Sequence, residues 1–330
     1  MKFKRFGIWA MCILILVSFT LTVVSAANLK GITIISAAPG GTQYPLSVGL
    51  MSIISNHMPG LTATVDASTG GAYQNLNMIN MGKAEIGISN PGAALQAFKG
   101  VGEFEGNKCA NLRSVIYLSS YINLLQLVTF ADSPIKELRD IDGLRVCAGL
   151  AGGGHDTFLR SFIDVLGIKP IIINVDFNDG ADMLADHRVD YLFIHGAAPN
   201  TTIMNLEVLQ KIKLVPVSKE SAEIILRALP ELCLEYTNVL AGTYKRLDQD
   251  VPSLGVGGTI VTNKDVPADV IYDFVKAIFE NQDIMKAAHP SGAPLYKQDA
   301  AKLSVPLHVG ALKYYKDNGI DIPEGLILSE

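Results

Sequence analysis

Past a first apolar run, hydrophobic and polar positions along the chain keep two alternating rhythms. Short β-branched runs give way to stretches of helical period, each separated by glycine-rich turns. Ile32–Ile35 reads as a strand, followed by Pro39-Gly40-Gly41-Thr42 and a helix beginning near Pro45 with Leu46, Leu50, Ile53 and Ile54 on one face. Thr62–Val65 is the next strand, then Ser68-Thr69-Gly70-Gly71 and a helix with Tyr73, Leu76 and Ile79 on one side. Glu85–Ser89 reads as a third strand that ends at Asn90-Pro91-Gly92. A second set opens after Ser133-Pro134: the strand Gly143–Cys147, the turn from Gly149 to His155, and a helix with Phe158, Leu159, Phe162 and Leu166 inward. Ile171–Val175, Tyr191–Ile194 and Leu214–Val217 supply further strands. Leu124–Phe130 and Thr259–Thr262 read as strands that cross between the two sets, and a helix carrying Val270, Phe274 and Ile278 follows the second. The pattern predicts an α/β chain of two lobes joined by a hinge of two crossover strands, with a ligand cleft between them. The expected limits are 27–122 for the first lobe, 123–257 for the second, and 258–330 for the second hinge strand and the return to the first lobe.

The opening run changes the picture of where the chain works. Lys2, Lys4 and Arg5 precede apolar residues from Phe6 to Val24, and Val24-Ser25-Ala26-Ala27 ends the run with small side chains. This is the order of a secretory signal over 1–26, cleaved after Ala26; a retained membrane anchor is the alternative reading. The mature protein is then expected in the periplasm. Removing the signal's three cations takes the formal charge from −5 to −8. An acidic chain without a basic patch argues against nucleic acid as a partner. The mature cysteines are Cys109, Cys147 and Cys233, none in metal-ligand spacing. Cys147 sits in an apolar run and reads as a buried thiol; a Cys109–Cys233 bridge is left open by the sequence.

Three glycine turns, at 40–42, 68–71 and 152–155, each follow a strand and precede a helix. Unpaired N–H groups and the positive end of a helix dipole attract anions there, and glycine lets the backbone approach the ligand closely. In open α/β sheets ligands sit at the carboxyl ends of the strands, where these turns lie. Enzyme signatures are missing: Gly149 to Gly154 ends in His155 where a phosphate-binding loop needs lysine, and there is no Gly-x-Ser-x-Gly elbow or His-Glu-x-x-His. No catalytic residue, metal site or cofactor is expected. Asp156 and Asp179 fall at helix starts, where capping is the expected role.

Longer motifs then carry a resemblance. Pro39-Gly40-Gly41-Thr42-Gln43-Tyr44-Pro45-Leu46 and Ala67-Ser68-Thr69-Gly70-Gly71-Ala72-Tyr73-Gln74-Asn75-Leu76 resemble the TAXI family of solute receptors for TRAP transporters. Gly82–Gly87, Asp140–Val146 and the C-terminal Pro306–Tyr315 are similar to that family in the same order. The resemblance implies a two-lobed periplasmic binding protein, type II-like. Such a receptor delivers small organic acids or amino acids to the membrane permease subunits of a TRAP transporter, and the protein is expected to be a monomer. A sensor kinase or an ATP-driven importer as partner, and a secreted enzyme on the same scaffold, are the alternatives.

Against the family pattern, Ala72 replaces a serine, Gly152-Gly153-Gly154-His155 replaces Gly-Ser-Gly-Thr, Asn90-Pro91-Gly92 replaces a polar stretch, and His195 stands where glycine is frequent. A buried ammonium needs acidic or multiple acceptor partners, so these exchanges disfavour an α-amino acid. The expected ligand contacts are Gly41, Thr42, Tyr44, Thr69, Gly70, Gly71, Asn75, Asn90, Gly153, Gly154, His155 and His195. For His155 and His195 the plain alternatives are an exposed helix start and a filled strand end. Thr42 and Thr69 equally suit helix caps, and Asn75 equally suits a bond that orients its loop. His308, Tyr314 and Tyr315 read as packing or lobe-docking residues.

Overall fold

A computed structural model describes residues 29–37, 42–69, 72–151 and 154–328, so the signal-peptide reading lies outside the described residues. Among the described residues no helix is long and apolar enough to cross a membrane.

The first half builds the predicted strand–turn–helix units. They are β1 (Gly31–Ala37), α1 (Gln43–His57), β2 (Thr62–Thr69), α2 (Ala72–Asn80), β3 (Ile86–Ser89) and a further helix α3 (Pro91–Lys99). β1 pairs in parallel with β2 and β3, setting Ile34 beside Val65 and Ile86. The predicted face of α1 is inward: Leu46, Leu50, Ile53 and Ile54 are all buried. β4 (Leu112–Phe130) then runs for 19 residues.

The second half holds β5 (Arg145–Cys147), α4 (Gly154–Leu166), β6 (Ile171–Ile173), α5 (Phe177–Ala185), β7 (Tyr191–Ala197), α6 (Thr201–Leu209), β8 (Ile212–Val215), α7 (Lys219–Ala228) and β9 (Glu235–Val239). β10 (Val251–Asn263) leads back to α8 (Ala268–Glu280), α9 (Gln282–Ala288) and α10 (Val309–Asp317). The strands form one curled sheet in the order β2-β1-β3-β10-β4-β7-β5-β6, with β8 on β4 and β9 on β10.

β4 and β10 are the two crossover strands, and both are longer than their apolar patterns suggested. Each feeds two separate cores. Ile116 and Ile260 join Ile34, Leu50, Ile53, Phe274 and Tyr315 in one. Leu127 and Leu254 join Phe162, Phe193, Val215 and Ile225 in the other. This is a two-lobed α/β architecture in which the C-terminal helices return to the first core. The β4–β10 register jumps between the lobes: Gly257 opposes Ile122 and Gly258 opposes Leu118, so residues 119–121 bulge from the ladder.

Several local expectations resolve differently. The three cysteines are free, with Cys109 and Cys147 buried; the Cys109 thiol turns to Asn77 Oδ1 at 3.5 Å. Asp179 is not the cap of α5, because Asp176 accepts from the N–H groups of Asn178 and Asp179. Asp156 lies inside the first turn of α4 and is buried. His308 caps α10 by accepting from Gly310 N–H at 3.2 Å, and the buried Tyr315 hydroxyl donates to Val115 O at 3.0 Å. These C-terminal residues therefore pack, as expected.

Candidate functional site

Gly41, Gly70, Gly71 and Gly153 lie outside the described residues, as does the side chain of Thr69. What surrounds the three turns is nonetheless well defined. In the first lobe Thr42 precedes α1 without a side-chain capping bond, and Tyr44 is half-buried in the first turn. Between them Gln43 turns inward, its Oε1 buried and without a hydrogen-bond partner. Burial raises the pKa of the Tyr121 phenol, and Asn123 and Gln43, which lie beside it, pull it down. Tyr121 belongs to the bulge of β4, so the start of α1 is tied to the crossover.

Asn75 and Asn90 have structural work. The buried Asn75 donates from Nδ2 to Ile88 O at 3.1 Å, which fastens α2 to the end of β3. Asn90 Oδ1 accepts from Ala93 N–H at 2.8 Å and caps α3, with Pro91 in the first helical turn. The Asn90-Pro91-Gly92 stretch is therefore a helix start. Gly92 also lets the chain pass closely: a Cβ there would lie 2.6 Å from Leu232 O of the second lobe.

In the second lobe α4 opens at Gly154 and brings His155 against His195 at the end of β7. His195 N–H donates to His155 Nδ1 at 2.9 Å. A phenyl ring supports each imidazole. His195 lies face to face on Phe158, with centroids 4.1 Å apart, and His155 meets Phe177 edge-on at 4.5 Å. Burial pushes the His155 pKa down to about 4. Burial first, and then His155 beside it, push that of His195 down to about 3. Both rings are therefore neutral near pH 7. Since His155 Nδ1 accepts, its proton sits on Nε2, which is left as a donor. His195 Nε2 is buried without a partner.

The backbone under these rings is fastened by Asn174, which donates to Gly149 O at 2.9 Å and to Asp156 Oδ1 at 3.1 Å. Asp156 also accepts from Arg160 Nε at 3.0 Å. The one buried carboxylate here is thus already balanced, and its role is to hold the turn. His155 and His195 come together with β4, because His195 opposes Leu125 and Ala197 opposes Asn123. A polar chain of Gln43, Tyr121 and Asn123 leads from the start of α1 to the strand end that carries the imidazoles. Sequence reasoning singled out both histidines but missed Gln43, Tyr121, Asn123, Asn174 and the two phenyl supports. Among the described residues no cluster of three or more His, Cys, Asp or Glu could hold a metal.

The fold is that of solute-binding proteins. A protein of Xanthomonas citri bound to ATP superposes with a TM-score of 0.54 at 10% identity, covering 87% of this chain and 98% of that one. A TctC solute-binding protein from Polaromonas gives 0.52 at 14% identity, covering 81% and 90%. MatC of Rhodopseudomonas palustris with bound malate gives 0.51 at 13% identity, covering 88% and 97%. At the level of sequence the chain belongs to the NMT1-like family, whose model matches residues 34–319.

Proposed function

We propose that this protein is an extracytoplasmic receptor that captures a small organic anion other than an α-amino acid and hands it to a TRAP-type secondary transporter. The observation that carries the reading is the pair of neutral, phenyl-supported imidazoles at a strand–turn–helix junction beside the crossover strands. Neutral imidazole donates to a carboxylate oxygen through Nε2 of His155 but offers no charge to an ammonium. Asp156, the nearby buried acid, is held by Arg160 and Asn174. Balance for the anion then comes from turn N–H groups and the N-terminal ends of α1, α2 and α4. Malate in MatC is an organic acid carried on the same fold.

The ligand-contacting set is Gly41, Thr42, Tyr44, Thr69, Gly70, Gly71, Gly153, Gly154, His155 and His195, with Asn75 and Asn90 shaping the first-lobe wall. The first lobe takes residues 27–122 and 258–330, the second 123–257, and no bond chemistry takes place between them. The signal over 1–26 directs export and is cleaved after Ala26, and the motif resemblance to TAXI receptors supports the TRAP partner. Thermal melts with a panel of carboxylates test the reading: simple organic acids should stabilise the protein and be recovered unchanged. Tight binding of glutamate or glutamine with no response to simple carboxylates would overturn it, as would turnover of a bound acid.

A further inference from the structure

Besides the crossover strands, the lobes also meet through side chains on one flank of β10. Glu235 opens β9 opposite Gly255 and belongs to the second lobe, yet two groups of the first hold its carboxylate. The Tyr117 hydroxyl donates to its Oε1 at 3.3 Å, and Lys302 Nζ lies 3.2 Å from its Oε2. Tyr117 is part of the first core, as are Ala300 and Leu303 on either side of Lys302. Burial first, and then the Glu235 charge, push the Tyr117 pKa up, so its phenol stays a donor. Lys302 is positioned as well: its Nζ stands 5.4 Å from the centre of the Tyr117 ring and 3.8 Å from Asp299 Oδ1.

A second contact lies close by. Leu232, just before β9, is part of the second core, and its carbonyl abuts Gly92 in the first turn of α3. Gly92 and Lys302 are not independent anchors, because the Ser304 hydroxyl donates to Pro91 O. Four segments therefore close a ring beside the joint: the start of α3, the return segment 299–304, the turn Pro230–Leu232 and the start of β9. The Tyr117 ring also packs on Gly257 of β10, so the ring of contacts borders the crossover. Rotation of one lobe against the other must change the Glu235–Lys302 and Gly92–Leu232 separations together.

We propose that Glu235, Lys302 and Tyr117 form a clasp which, with the Gly92–Leu232 contact, holds the lobes at the hinge angle seen here and releases when they part. The clasp rests on the two-lobed fold and not on the identity of any ligand. The side chains of Lys302 and Glu235 are 42% and 46% exposed, so the pair adds little to folding. An equilibrium between hinge angles of similar energy nevertheless responds to a small bias. Cys233 follows Leu232 and is half-buried, whereas Cys109 and Cys147 are buried within the lobes, so the three thiols separate release of the clasp from unfolding. The mature chain is treated with N-ethylmaleimide, an uncharged reagent, and labelling of each cysteine is followed by peptide mass. Glu235→Gln and Lys302→Met should each speed labelling of Cys233 about threefold, because the rate tracks the open population. The double variant should gain no more than either, and Lys302→Arg should match the unaltered chain. Molar salt, which needs no variant, should speed Cys233 labelling in the unaltered chain and not in Glu235→Gln. Acceleration below about twofold in the single variants, additive effects in the double, or as much acceleration in Lys302→Arg as in Lys302→Met overturns the clasp. So does equal acceleration at Cys109, or a salt response that survives in Glu235→Gln.

Discussion

The histidine pair couples the site to pH in a direction set by burial. Both rings have folded pKa values below the ordinary 6.5, at about 4 for His155 and about 3 for His195. Between those values and 6.5 the unfolded chain holds more protons than the folded one, so stability rises with pH there. Their contribution is complete above about pH 6.5 and declines as the pH falls toward 4 and then 3. His155 alone is expected to account for on the order of 2 kcal/mol of that loss, once its residual exposure is discounted. Proton NMR of the imidazole ring protons should show both histidines untitrated at pH 5.5; midpoints near 6.5 would contradict the burial argument. A second residue-scale prediction concerns Tyr121, whose buried phenol has Gln43 and Asn123 beside it. Tyr121→Phe removes the polar atom that these amides face and should cost about 1–3 kcal/mol in urea denaturation. The sequence marked the histidines because each departs from a recognisable motif. Their mutual bond joins positions 40 apart, and no periodicity encodes that. Gln43 and Tyr121 were silent for a related reason, since each is an ordinary residue in its own segment and matters only through the other.

At the scale of elements, the strand–turn–helix units were legible because one buried face gives each segment a clear period. Two omissions are instructive. α3 was not singled out in the sequence, although Asn90 at the cap, Pro91 in the first turn and Gly100 at φ +73 after its last turn are ordinary helix boundaries. Its Ala-rich body has weak apolar contrast and so offered little periodic signal. β4 was recognised only from Leu124, because residues 112–118 are buried almost throughout and show no alternation. Placing α3 also assigns Gly92 a purpose, since its backbone abuts the Leu232 carbonyl of the other lobe. Gly92→Ala introduces backbone-to-Cβ overlap at 2.6 Å that no side-chain rotation relieves. The variant should hold the lobes further apart, weaken ligand binding by about tenfold, and cost on the order of 1–3 kcal/mol in stability. Calorimetry and chemical denaturation check both; unchanged affinity would mean that the contact plays no part in the closed form.

The whole molecule is organised around one structural fact: the long strands β4 and β10 run through both cores. Motion between the lobes must concentrate where that ladder is weakest, at the bulge of residues 119–121 opposite Gly257 and Gly258. The glycines are required by the neighbouring rings. A Cβ at 257 would fall 2.2 Å from the Tyr117 ring, and one at 258 would fall 2.4 Å from Tyr121 Cδ1. Tyr121 is the same residue that receives Gln43 from α1, so the pivot and the first-lobe wall of the site share a side chain. A ligand that touches both walls therefore acts directly on the pivot and should favour one hinge angle. At about 100 times its dissociation constant such a ligand adds about 2.7 kcal/mol to stability, a rise on the order of 5 °C in melting temperature for a chain of this size. Small-angle scattering should register a smaller radius of gyration under the same conditions. Gly257→Ala separates pivot from wall, since it displaces Tyr117 without touching any proposed ligand contact. It should lower the melting temperature of the free protein and diminish the ligand-induced compaction, while residual binding to the open form persists. Full compaction in that variant would locate the hinge outside the β4–β10 bulge.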